Sequence, residues 1–157
     1  MAHYLIHLLE ELVSLFPKAK FICTIRHPRS WLRSFIDQSI NLDRHFSEHL
    51  SDEEVEAWRC LREINCGPQP NTYPRPEAPL APYGLPPIEG YLSYWARHNR
   101  KVLDKIPADR RLLVRTCNLS TRAQSIRAFA GADPGLQQKD THANRAYEKH
   151  NVLQRLE

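Results

Sequence analysis

The chain has 157 residues, with 22 Lys and Arg against 18 Asp and Glu, a formal net charge of +4 and a pI near 9.0. That length suffices for one domain with a buried core, and a hydrophobic content of 41% excludes a disordered chain. The longest apolar runs, such as residues 21–25, are far too short to cross a bilayer, and the opening residues do not read as a secretory signal. The expectation is therefore a cytoplasmic protein with no membrane partner. The positive excess favours anionic partners, but it is mild and spread along the chain, so nucleic acid is not expected. Cys23, Cys60, Cys66 and Cys117 lack the spacing of a disulfide framework or a zinc site, and no metal is implied. Cys23 and Cys117 lie in apolar runs and read as small core residues.

In chain order, Leu5, Leu8, Leu9, Leu12, Val13 and Phe16 form a helical stripe that predicts one helix over residues 3–16, ended by Pro17. Residues 20–25 read as a short strand, and the unbroken Phe-Ile-Cys-Thr-Ile run suits burial on both faces, as in a parallel sheet. A helix starts at Pro28, where the missing N–H costs nothing, with Trp31, Leu32, Phe35, Ile36 and Ile40 on its apolar side. Ser51-Asp-Glu-Glu54 is a capping box that opens another helix, expected to run to about Ile64. Residues 67–87 hold eight of the twelve prolines and two of the five glycines, so they read as a surface loop outside the core. Ile88, Tyr91, Leu92, Trp95, Val102, Leu103 and Ile106 mark a long helix closed by Pro107. A second strand covers residues 111–115. Ser120 reads as the N-cap and Gly131 as the C′ residue of the next helix. The tail from about Asn144 to Leu156 reads as helical.

This order predicts an α/β architecture that is rich in helix, with a short parallel sheet flanked by helices. Two strands make a small sheet for a run as apolar as residues 21–25.

The stretch "KFICTIRHPRSWLRSF" carries the chemistry. Three arginines and two serines fall within residues 26–34, directly after the first strand. Arg26 stands at the strand's carboxyl end, where open parallel sheets bind ligands. The following helix start offers N–H groups and a positive dipole end, and Ser34 lies about two turns into that helix. A guanidinium can grip a phosphate with two parallel hydrogen bonds, and a serine hydroxyl adds one more. On these residues alone the stretch is either a phosphate site or a solvated basic helix start.

"FPKAKFICTIRHPRSWLRSF" also resembles the segment of sulfotransferases that binds the 3′-phosphate of PAPS (3′-phosphoadenosine 5′-phosphosulfate). The shared pattern is a strand, Arg26, Pro28 two residues on, and Ser34 eight residues after Arg26. "YLSYWARHNRKVLDKIPADRRLLVR", "IRAFAGAD" and "THANRAYEKHNVLQRL" are similar to later segments of the family, so the likeness covers residues 10–45 and 88–156. The resemblance implies a P-loop-type sulfotransferase fold over residues 1–157 as a single domain, with the Pro-rich loop at 67–87. It implies PAPS as co-substrate, a small-molecule or glycan acceptor bearing a hydroxyl or amine, and Arg26 and Ser34 as the residues that bind PAPS or its desulfated product PAP. Where many relatives carry Y-E-D-L, this chain has Thr116-Cys117-Asn118-Leu119 and lacks the aromatic that lies against adenine. No Gly precedes Gly67 and no G-K-[ST] occurs, so the phosphate-cradling loop and first strand of the family are expected ahead of residue 1.

The catalytic base is not assigned by the sequence. His3 and His7 lie on a helix that reads as packing, and His27 adjoins Arg26. His142, Arg145 and Lys149 read either as site-lining residues or as a solvated face. The alternative to an enzyme is a non-catalytic remnant of a sulfotransferase that binds nucleotide or a protein.

Overall fold

The computed structural model describes residues 3–133, 149–150 and 152–155. The expected tail helix, with His142 and Arg145, falls mostly outside these residues. Val152–Arg155 forms a short 3-10 turn. The chain divides into two compact units: Met1–His27 with Ala96–Ala143, and Pro28–Trp95 with Asn144–Glu157.

In the first unit, the predicted amino-terminal helix is split. A 3-10 helix covers His3–Ile6 and helix α1 covers Leu9–Leu15. The backbone at Leu8 (φ −98°, ψ 12°) departs from helical geometry and separates the two segments, yet both deliver apolar residues to one core. Ile6, Leu9 and Ile106 are buried there, with Val13, Phe21, Cys23 and Val102 packed against them. Strands β1 (Phe21–Ile25) and β2 (Arg111–Arg115) pair in parallel, in a register that sets Phe21 beside Arg111 and Ile25 beside Arg115. The helix-rich α/β architecture with a short parallel sheet is thus as expected.

Burial of β1 is not. Its residues alternate between half-buried and exposed, with Ile22 42% exposed, because β1 has a single strand neighbour among the described residues. Cys23 is half-buried, and burial pushes its thiol pKa up against the opposing pull of Arg111. Cys117 is exposed in the 3-10 turn Thr116–Asn118, which corrects its reading as a core residue: the apolar run ends with β2 at Arg115.

Two consecutive arginines tie this unit together. Arg110 donates to the carbonyls of Val13, Phe16 and Ala19, at and just past the carboxyl end of α1, and lies 5.5 Å from the Phe21 ring centroid. Arg111 donates to the carbonyls of Leu103 and Ile106, at the end of helix α4 (Ile88–Lys105). Cations suit helix carboxyl ends because four carbonyls there lack helical partners. Helix α5 (Ala123–Ala130) starts later than predicted. Its cap position is Arg122 and not Ser120, whose place falls in the turn bounded by the Thr121 hydroxyl donating to the Asn118 carbonyl. Gly131 closes α5 in the left-handed conformation, as read from the sequence.

In the second unit, helix α2 runs from Pro28 to His49, and helix α3 from Asp52 to Cys66. The predicted capping box is present: Ser51 Oγ accepts from the Glu54 N–H at 3.4 Å, and the Glu54 carboxylate accepts from the Ser51 N–H at 3.0 Å. The core joins Trp31, Leu32, Ile36 and Ile40 of α2, Cys66 of α3, Tyr91 and Tyr94 of α4, and Val152.

Residues 67–87 belong to that core, which corrects their reading as a surface excursion. A 3-10 helix spans Arg75–Tyr83, and Leu80, Leu85 and Pro86 are fully buried. The prolines rule out a long α-helix but not a tight 3-10 segment with apolar residues on one side. Polar contacts pin it. The Tyr73 hydroxyl donates to the Leu85 carbonyl, Arg62 donates to the Gly84 carbonyl at 3.3 Å, and Glu77 accepts from the Ile88 N–H at 3.1 Å, capping α4. Beyond the segment, Gly90 packs so closely on α3 that a Cβ there would overlap the Cys66 carbonyl oxygen.

Candidate functional site

The carboxyl ends of β1 and β2 lie side by side in the first unit. Arg26 follows the last residue of β1 and is half-buried, while Arg115 is the last residue of β2 and is exposed. His27 is exposed. The strand therefore delivers Arg26 to the end of the sheet, as its sequence position implied.

Ser34 lies in the second unit. It is the seventh residue of α2 and half-buried. Around it, Trp31 and Leu32 are buried in the core, and Arg29 and Arg33 are exposed on the helix. The expected placement of Trp31 and Leu32 on the apolar side of the helix holds. Helix α2 begins at Pro28, so its first turn leaves backbone N–H groups without intrahelical acceptors.

A pocket of about 390 Å³ opens along β1 in the first unit. Its apolar wall comes from Leu5, Ile6, Leu9 and Leu12, its floor from Phe21–Ile25, and its polar groups from Lys20, His98 and Asn99. His98 is half-buried, and burial together with the nearby His7 holds its pKa below the usual 6.5. A neutral imidazole in an apolar wall can accept a hydrogen bond or a proton. Sequence reasoning missed His98, although it falls on the Tyr91, Trp95, Val102 stripe of α4; a polar residue on that stripe was the available signal. His7 is exposed rather than packed, and Lys149 is exposed as a solvated side chain would be.

The sulfotransferase domain family matches residues 2–120. The match covers well over half of the chain, including both strands and the Arg26/Pro28/Ser34 stretch, so the chain belongs to the sulfotransferase family. The segment "IRAFAGAD" and the tail lie beyond the matched span. No curated protein and no solved structure gives a significant match to the chain.

Proposed function

We propose that this chain is a PAPS-dependent sulfotransferase in which Arg26 and Ser34 hold the 3′-phosphate of the donor. The observation that carries the reading is the spacing of Arg26, Pro28 and Ser34 across a strand end and a helix start, in a chain of the sulfotransferase family. A 3′-phosphate carries up to two negative charges, and a guanidinium, a hydroxyl and helix N–H groups are the donors that suit it. The reaction moves a sulfuryl group from PAPS to a hydroxyl or amine of a small-molecule or glycan acceptor. It proceeds by in-line attack and needs positioning and charge stabilisation, with no metal. The fold proposed is that of a P-loop-type sulfotransferase, and the location cytoplasmic.

Titration with PAP tests the site. Wild type binds, and Arg26→Ala weakens binding about 10- to 100-fold, the equivalent of losing one charge-assisted contact of roughly 1.5–3 kcal/mol. Ser34→Ala has a smaller effect in the same direction. Equal binding by wild type and Arg26→Ala removes the assignment.

A second reading is favoured by one specific feature: no Gly-rich Lys-Ser/Thr loop, the usual cradle for the 5′-phosphosulfate, occurs in these residues. On that reading the chain is a non-catalytic relative that binds nucleotide or a protein partner. Labelled PAPS offered with a broad acceptor panel separates the two, because measurable turnover eliminates the second.

A further inference from the structure

We propose that the end of the chain, His150 with the turn Val152–Arg155, is a strap that fastens onto helix α2 and opens by itself, ahead of the rest of the second unit. The proposal stands wholly within that unit and does not depend on the donor reading above.

Helix α2 offers the strap two neighbouring pairs of side chains. Ile36 and Ile40 are four positions apart, as are Asp37 and Asn41, so the members of each pair sit one turn apart on the same side of the helix. Asp37 is 4% exposed, and a carboxylate that deeply buried calls for a partner. The His150 N–H supplies one from 113 positions away, donating to Asp37 Oδ1 at 3.0 Å. The His150 ring nitrogen Nε2 lies 3.0 Å from Asn41 Oδ1, and the ring centroid is 6.2 Å from that of Tyr83 in the 3-10 segment. Two residues on, Val152 is 1% exposed in the core that holds Ile36 and Ile40, and Leu153 packs against that core.

These contacts suffice to fasten the strap but do not make it inseparable. One fully buried side chain and the polar ties at His150 hold it. Its regular structure is a single 3-10 turn, whose hydrogen bonds are poorer in geometry than those of an α-helix. Helix α2, in contrast, runs for 22 residues and buries Trp31, Leu32, Ile36 and Ile40. Chain-end segments with few buried apolar contacts open at lower free energy than the core they cover. Closed, the strap completes the core. Open, it leaves Asp37 without the His150 N–H and admits water to the site that Val152 fills.

The test is native-state hydrogen exchange of the full chain, read at single amides by NMR over a series of urea concentrations below the unfolding transition. The His150 amide reports the strap, and the Ile36 and Ile40 amides report α2. In wild type the His150 amide is expected to be protected relative to an unstructured peptide, yet to exchange faster than the two α2 amides. It should also respond little to urea, the mark of an opening that exposes little surface. Asp37→Ala should speed His150 exchange about tenfold, as the loss of one acceptor of a charge-assisted bond, with the α2 amides unchanged. Asp37→Asn keeps a side-chain oxygen as acceptor and should recover part of the difference. Val152→Ala leaves Asp37 in place and should speed His150 exchange in the same selective way, which decides the matter if Asp37→Ala does not fold. A His150 amide that is unprotected in wild type means that the strap is not fastened, and the proposal fails. It fails equally if His150 and the α2 amides exchange at one rate with one urea slope, since the strap then opens only with the whole unit. Folded variants that leave His150 exchange as in wild type also overturn it.

Discussion

At the scale of single side chains, several arginines serve the fold. Arg62 is the clearest structural one. Its side chain is 7% exposed and donates to the Asp43 carboxylate at 2.6 Å and to the Gly84 carbonyl. Arg62→Ala leaves that partly buried carboxylate without its cation and should cost about 2–4 kcal/mol in urea unfolding, whereas replacing both partners by leucine should recover much of the loss. His98 is expected to make stability depend on pH. Its folded-state pKa lies below the ordinary 6.5, so the unfolded chain binds the proton more readily. Stability is unaffected by His98 well above pH 6.5 and falls as pH drops from there towards its lower folded value. His98→Asn should flatten that part of the stability–pH curve; an unchanged slope would assign the acid sensitivity elsewhere. Arg26 and Ser34 were open to proposal from the sequence because their spacing is a one-dimensional pattern. Arg62, Arg110 and Arg111 were not, since their acceptors are carbonyls or carboxylates distant in sequence and an arginine's own context does not reveal its acceptor.

At the scale of elements, helices α2, α3 and α4 and both strands were read within a few residues from apolar periodicity, Pro28, Pro107 and the Ser51–Glu54 capping box. These signals are local, and local physics produces them. The segment 67–87 was misjudged because proline content reports only what backbone geometry excludes. Whether Leu80 and Leu85 are buried depends on what α2, α3 and α4 leave uncovered, which no local window contains. Leu80→Ala should therefore cost about 2–5 kcal/mol, the range for truncating a fully buried leucine, and not the few tenths of a surface loop. A thermal melt of that variant distinguishes the two. The opposite error occurred at β1, where an apolar run predicted two-sided burial and one paired neighbour leaves Ile22 exposed.

For the chain as a whole, basic residues outnumber acidic ones only slightly and are spread along the sequence. The expected outcome with duplex DNA or RNA at physiological salt is no specific binding, and at low salt only weak association. A steep linear fall of log affinity with log salt, indicating many phosphate contacts, would contradict this.

The amino-acid sequence by itself determined the class of the protein: a helix-rich α/β chain of the sulfotransferase family, with an arginine, a proline and a serine at the spacing of a phosphate motif. It could do so because periodicity, caps and motif spacing act between residues a few positions apart. Only the tertiary structure decided that residues 67–87 enter the core, that the pocket wall along β1 includes His98, and that Arg110 and Arg111 are bound to carbonyls while Arg115 shares a sheet end with Arg26. Those outcomes depend on which distant segments meet, and parallel pairing brings together residues some ninety positions apart that no local signal connects.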